Sequence, residues 1–145
     1  MKRWFGYITL FGCLFVLSAF TSHAQEQKPS RHIVSIYNIA TGKHLQFLKW
    51  IAQQEAIAKE AGAPPVQWFV HQDGAGWDYI GISQVGDPVK EAEQGEKIDA
   101  ISKKKGVAIG RARWLEFRQF VSTHSDTYSI GPFTAEELVK EAETR

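Results

Sequence analysis

Residues Val66 to Val85 read VQWFVHQDGAGWDYIGISQV, and the fold turns on this stretch. Two runs rich in β-branched and aromatic residues, Val66 to Gln72 and Trp77 to Val85, flank Asp73-Gly74-Ala75-Gly76, a tight turn whose glycines tolerate positive φ. The reading is an antiparallel hairpin. A two-residue loop and a four-residue loop give the same register, with Trp68 opposite Gly81, Phe69 opposite Ile80, Val70 opposite Tyr79 and His71 opposite Asp78. Side chains alternate along a strand, so one face carries Val66, Trp68, Val70, Gln72, Trp77, Tyr79, Gly81 and Ser83. The other carries Gln67, Phe69, His71, Asp78, Ile80 and Ile82. Helices are expected on the aliphatic face. The aromatic face, broken by Gly81 and Ser83, is expected to line a dimer interface or a ligand cavity.

Upstream, Arg31 to Ala40 (RHIVSIYNIA) reads as a first strand. Thr41 stands where an N-cap belongs, and Lys43 to Ala61 follows as a long helix stopped by Gly62. Its apolar arc (Leu45, Phe47, Leu48, Trp50, Ile51, Ala52, Ile57, Ala58) is wider than one sheet face needs, which suits contact with a second element or subunit. Downstream, Gly86-Asp87-Pro88 caps a charged helix over Val89 to Lys105 with an interruption at Gly95. Trp114, Phe117, Phe120 and Val121 recur at helical spacing in Ile109 to Val121, read as a further helix with a strand as the alternative. His124 to Ile130 is the fourth strand. Thr134 and Glu137 form a capping box opening a terminal helix.

The 145 residues fit one domain, with 17 basic against 16 acidic residues. That balance gives no reason to expect nucleic acid as a partner. The run Lys103-Lys104-Lys105 with Arg111, Arg113 and Arg118 is offset by Glu91, Glu93, Glu96 and Asp99, and reads as a solvated helix face. Lys2 and Arg3 precede an apolar run from Trp4 to Phe20 and a small-residue exit at Ser22 and Ala24, the pattern of a secretory signal peptide over residues 1 to 24. An uncleaved anchor and a lipoprotein cut before Cys13 are the alternatives. Cleavage after Ala24 would leave 121 residues without cysteine, in keeping with a periplasmic or secreted location. Membrane contact is expected only through that leader. Residues 25 to 30 form a polar, disordered lead-in, and residues 31 to 145 the domain.

Strand, long helix, hairpin, helices, strand is the order of a split β-α-β, ferredoxin-like antiparallel sheet with helices on one face, an α+β class. With the broad apolar helix, it resembles the dimeric α+β barrel superfamily, of the antibiotic-biosynthesis-monooxygenase and stress-responsive barrel type, over Arg31 to about Ile130. The resemblance implies a homodimer, two sheets packed face to face around a cavity in each subunit. It leaves catalysis open, because the fold hosts many functions. The leading expectation is an exported protein binding a small apolar or aromatic ligand. The alternative is a cofactor-independent or haem-using monooxygenase.

Candidate ligand residues are Trp68, Trp77, Tyr79, Asn38 and His71. Asp78 opposite His71 is the arrangement that fixes an imidazole tautomer, or else an ordinary cross-strand ion pair. Haem-degrading members place an asparagine, a tryptophan and a histidine around the cavity. Asn38 matches the first and Trp114 is a candidate for the second. The family histidine lies on a helix, whereas the helical histidine here is His44 and no expected helix after the hairpin contains one. No pair of histidines has H-x-H or H-x-x-x-H spacing, so a preassembled metal motif is absent; no metal and no cofactor are expected, with haem as the alternative. No catalytic residue is assigned.

Overall fold

A computed structural model describes residues 28–74 and 76–144. The expected leader and the first half of the lead-in, residues 25 to 27, lie outside the described residues. Eight elements follow in order: β1 (Ser30–Ile39), α1 (His44–Glu60), β2 (Gln67–Val70), β3 (Tyr79–Gln84), α2 (Pro88–Lys104), α3 (Gly110–Arg118), β4 (Val121–Gly131) and α4 (Ala135–Glu143). The strands form one antiparallel sheet in the order β2-β3-β1-β4, the ferredoxin-like arrangement. Among the described residues no helix is long and apolar enough to cross a membrane.

The hairpin register is as expected: Trp68 pairs with Gly81, Phe69 with Ile80 and Val70 with Tyr79. The His71 amide donates to the Asp78 carbonyl at 3.0 Å, one step beyond the ladder. In β1, Tyr37 pairs with Tyr79 and Ser35 with Gly81, so alternation carries the aromatic face across the sheet. On β4, His124 and Asp126 continue that face opposite Tyr37 and Ser35. The shift between Asn38 and Ile39 is a bulge that leaves Ser122 unpaired in the ladder.

The helices choose the opposite face from the one expected. Phe47 of α1 is fully buried and sits 5.6 Å from Tyr79, 5.4 Å from Tyr37 and 6.5 Å from Trp68, ring centre to ring centre. Phe117 of α3 stands edge-on to Tyr37 at 6.2 Å and to His124 at 5.1 Å. Aromatic pairs at these separations add to plain area burial. They give α1 and α3 more to gain over the rings than over isoleucines. Val34, Ile36, Ile80 and Ile82 lie on the reverse side with Phe69, which is 49% exposed.

Several local expectations also change. Thr41 does not cap α1. Gly42 takes φ +74 and the Lys43 amide closes a turn on the Ala40 carbonyl, which leaves Lys43 at the cap position without a side-chain bond. Gly95 does not interrupt α2, which is continuous from Pro88 and capped as foreseen by Asp87, whose carboxylate accepts from the Val89 and Lys90 amides. The helix expected through Val121 ends at Arg118. The Phe120 carbonyl accepts from the Ala40 amide at 2.8 Å, and the chain joins β1 from Val121 onward. β1 opens at Ser30, one residue inside the expected lead-in. The capping box of α4 forms between Thr134 and Glu137.

Candidate functional site

Between α1 and the aromatic face lies a cleft of about 220 Å³. The sheet contributes Ser35, Tyr37, Trp68, Gly81 and Ser83, and α1 contributes Ile51, Gln54, Glu55 and Ala58. The cleft exists because the sheet is small where the helix passes. Ser35, Gly81 and Ser83 leave a trough, and the Trp68 indole lies across Gly81, where an added Cβ would meet ring carbons at 3.2 Å. The indole is held there by its Nε1, which donates to the Glu55 carboxylate at 2.7 Å. A second apolar surface, made of Ala52, Ala56, Ala63, Pro64 and Pro65, adjoins the cleft through Glu55, Ala58 and Val66.

Two polar features face this space. Gln54 occupies an inner position of α1, and its amide nitrogen is buried with no hydrogen-bond partner. Such buried donors are rare and costly in a finished core. Tyr37 is the second. Its phenol is pushed up from the ordinary 10.0 by burial, against the opposing effect of the Ser35 hydroxyl and with a smaller push from the Asp126 carboxylate. It stays protonated and can donate. Asp126 accepts from Ser35 Oγ at 2.6 Å and lies 3.0 Å from His124 Nε2, while the His124 ring stacks on Tyr37 at 5.1 Å.

The five residues singled out from sequence do not come together. Trp68 and Tyr79 share the helix-covered face, and only Trp68 lines the cleft. His44 Nδ1 lies 3.4 Å from the Tyr79 hydroxyl, whose pKa is raised by desolvation and by Asp78. Asn38 is on the reverse face, donating from Nδ2 to Thr123 Oγ1 at 2.7 Å, and is not at a cavity rim. His71 and Trp77 pack with tilted rings 5.1 Å apart near the turn. The expected His71–Asp78 side-chain pair does not form. Asp78 accepts instead from the Ile39 amide at 2.6 Å, tying the hairpin to β1, and His71 Nε2 is left buried without a partner. Trp114 is 56% exposed and belongs to neither core nor cleft.

Sequence reasoning passed over Tyr37, Gln54 and Glu55. A signal for Gln54 was present: it falls on the helical stripe of Phe47, Ile51 and Ala58, a polar residue inside an apolar arc. None of the residues lining the cleft is a histidine. Among the described residues no three His, Cys, Asp or Glu gather as a metal would need.

No protein-family model matches the sequence, and no curated protein matches it. Solved structures resemble it distantly. A NIPSNAP family protein of unknown function from Agrobacterium tumefaciens is 17% identical over 72% of this chain and 91% of that one, with a TM-score of 0.49. An uncharacterised NIPSNAP domain protein from Burkholderia xenovorans is 15% identical over 72% and 96%, with a TM-score of 0.48. A DABB family protein with a ferredoxin-like fold from Mesorhizobium loti is 13% identical over 74% and 100%, with a TM-score of 0.46.

Proposed function

We propose that this is an exported, homodimeric binding protein that takes a small aromatic ligand carrying a hydrogen-bond acceptor into the cleft between α1 and the sheet. The unpartnered amide nitrogen of Gln54 carries the reading. It sits in a space walled by Tyr37 and Trp68, and an acceptor on the ligand would relieve it. Size supports a single ring, since a cavity of about 150 Å³ already admits benzene. Tyr37, kept protonated, would supply a second donor. The ligand site therefore moves from between two sheets to beneath the helix. The aliphatic face becomes the surface that a second subunit covers.

The test is quenching of tryptophan fluorescence by 4-hydroxybenzaldehyde, with toluene as the ring without an acceptor. The aldehyde saturates the signal and binds more tightly than toluene, and Gln54→Leu removes about tenfold of that preference, the cost of one unmet buried hydrogen bond. Equal binding of both rings, or an unchanged preference in the variant, overturns the reading. Mass spectrometry of the recovered aldehyde under air separates binding from oxygenation: an oxygenated product assigns the cleft to a cofactor-independent monooxygenase instead.

A further inference from the structure

α3 has an outward face that neither the core nor the cleft uses. Arg111, Trp114, Leu115 and Arg118 fall at the i, i+3, i+4, i+7 positions of one helix side, and all four are exposed. Trp114 is 56% exposed and Leu115 48%, large apolar surface for so short a helix. The Arg118 guanidinium lies 5.6 Å from the centre of the Trp114 ring, a cation–π stack at the surface.

The opposite side of α3 is fastened down, and the fastening consumes the nearby acid. Phe117 packs on Tyr37, His124 and Trp50. Glu116 accepts from Trp50 Nε1 at 3.3 Å, and Asp99 lies 3.6 Å from Arg113. From Lys97 to Arg118 the chain carries seven basic and two acidic residues, and Glu116 and Asp99 are those two. Arg111 and Arg118 face outward, and among the described residues neither has a carboxylate partner. Among the described residues no ion pair joins the glutamates of α2, which in the sequence offset this run, to it.

We propose that this face of α3 docks on an anionic phospholipid surface, a role beyond the ligand reading and independent of it. Guanidinium groups match phosphate oxygens as two-pronged donors. An indole and a leucine between them suit the boundary of headgroup and acyl chain. One convex helix side offers no groove to seat a peptide, whereas a planar bilayer meets all four side chains at once. The proposal goes beyond the expectation that membrane contact is limited to the leader.

The experiment is co-sedimentation of the full chain with vesicles of phosphatidylcholine alone or doped with phosphatidylglycerol. All variants share one N-terminus, so any contribution of the leader cancels. Wild type favours the anionic vesicles, and R111E/R118E loses about tenfold or more of that partitioning, since each basic residue near such a surface contributes on the order of 1 kcal/mol. R111K/R118K keeps most of it, and W114A/L115A loses binding although its charge is unchanged. Circular dichroism shows all variants folded, because the four side chains are exposed. Equal partitioning of R111E/R118E and wild type, or equal wild-type binding to neutral vesicles, overturns the proposal. Displacement from the vesicles by a soluble polyglutamate peptide, with inorganic phosphate inert, overturns it in favour of an acidic protein partner.

Discussion

On one side of the sheet Tyr37, Trp68 and Tyr79 pack their rings against Phe47, and Tyr79 keeps only 8% of its surface. On the other side Val34, Ile36, Ile80 and Ile82 stand in register without a ring contact from any helix. Aliphatic content alone would have sent the helices to the second side. The difference teaches that a helix follows the match of its own inner stripe. Phe47 and Trp50 bring rings to α1, and rings pack well on rings when small residues beside them leave room. Ser35, Gly81 and Ser83 supply that room, and the space left over is the cleft. The same small residues that suggested an inter-subunit cavity thus make one inside the subunit.

The comparison breaks first, and hardest, at Phe47. Phe47→Ala leaves a hole beneath α1 at a side chain with no exposure, and costs about 3–5 kcal/mol of stability in urea unfolding. A loss below about 1 kcal/mol would mean that the rings do not hold the helix.

The open face gives the second test. Ile82→Lys places an ammonium among Val34, Ile80 and Phe69, and if a second copy covers that face the particle mass by light scattering falls by half. A wild-type chain already at monomer mass removes the dimer. The variant leaves the aromatic side intact, so the thermal transition of its monomer stays cooperative.

Alkaline pH provides the gentlest probe of the covered side. Tyr37 has a folded pKa above its ordinary value of 10.0, chiefly through burial. A group raised in this way contributes stability that is complete below its unfolded pKa and fades as pH climbs through the folded one. Above pH 10.0 the wild type loses stability more steeply than Tyr37→Phe when urea midpoints are compared. Parallel slopes would detach the phenol from the protected face.

Much of this architecture is legible in the sequence alone. The hairpin register followed from the Asp73-Gly74 turn and strict alternation, because a one-residue slip would move every side chain to the wrong face. The N-cap at Asp87 and the capping box at Thr134 were readable because their bonds lie within a few residues of one another. Elements failed to read where a distant partner intervened. Phe120 and Val121 continue the apolar spacing of α3, yet the Ala40 amide draws the chain into the sheet. Asp78 sits opposite His71 as foreseen, but the Ile39 amide, from another strand, claims its carboxylate.

Alternation and turn chemistry, both local, determined which residues share a side, and with it the α+β sheet. They are silent on which side a helix will cover, since parity is symmetric and both sides here are apolar. That choice came from the shapes of residues far apart in the chain: Phe47 and Trp50 on a helix, Gly81 on a strand, Tyr37 on another. Packing of that kind has no period to read. It placed Gln54 and Glu55 against Trp68, moved the candidate site beneath α1, and turned Arg111 and Trp114 outward.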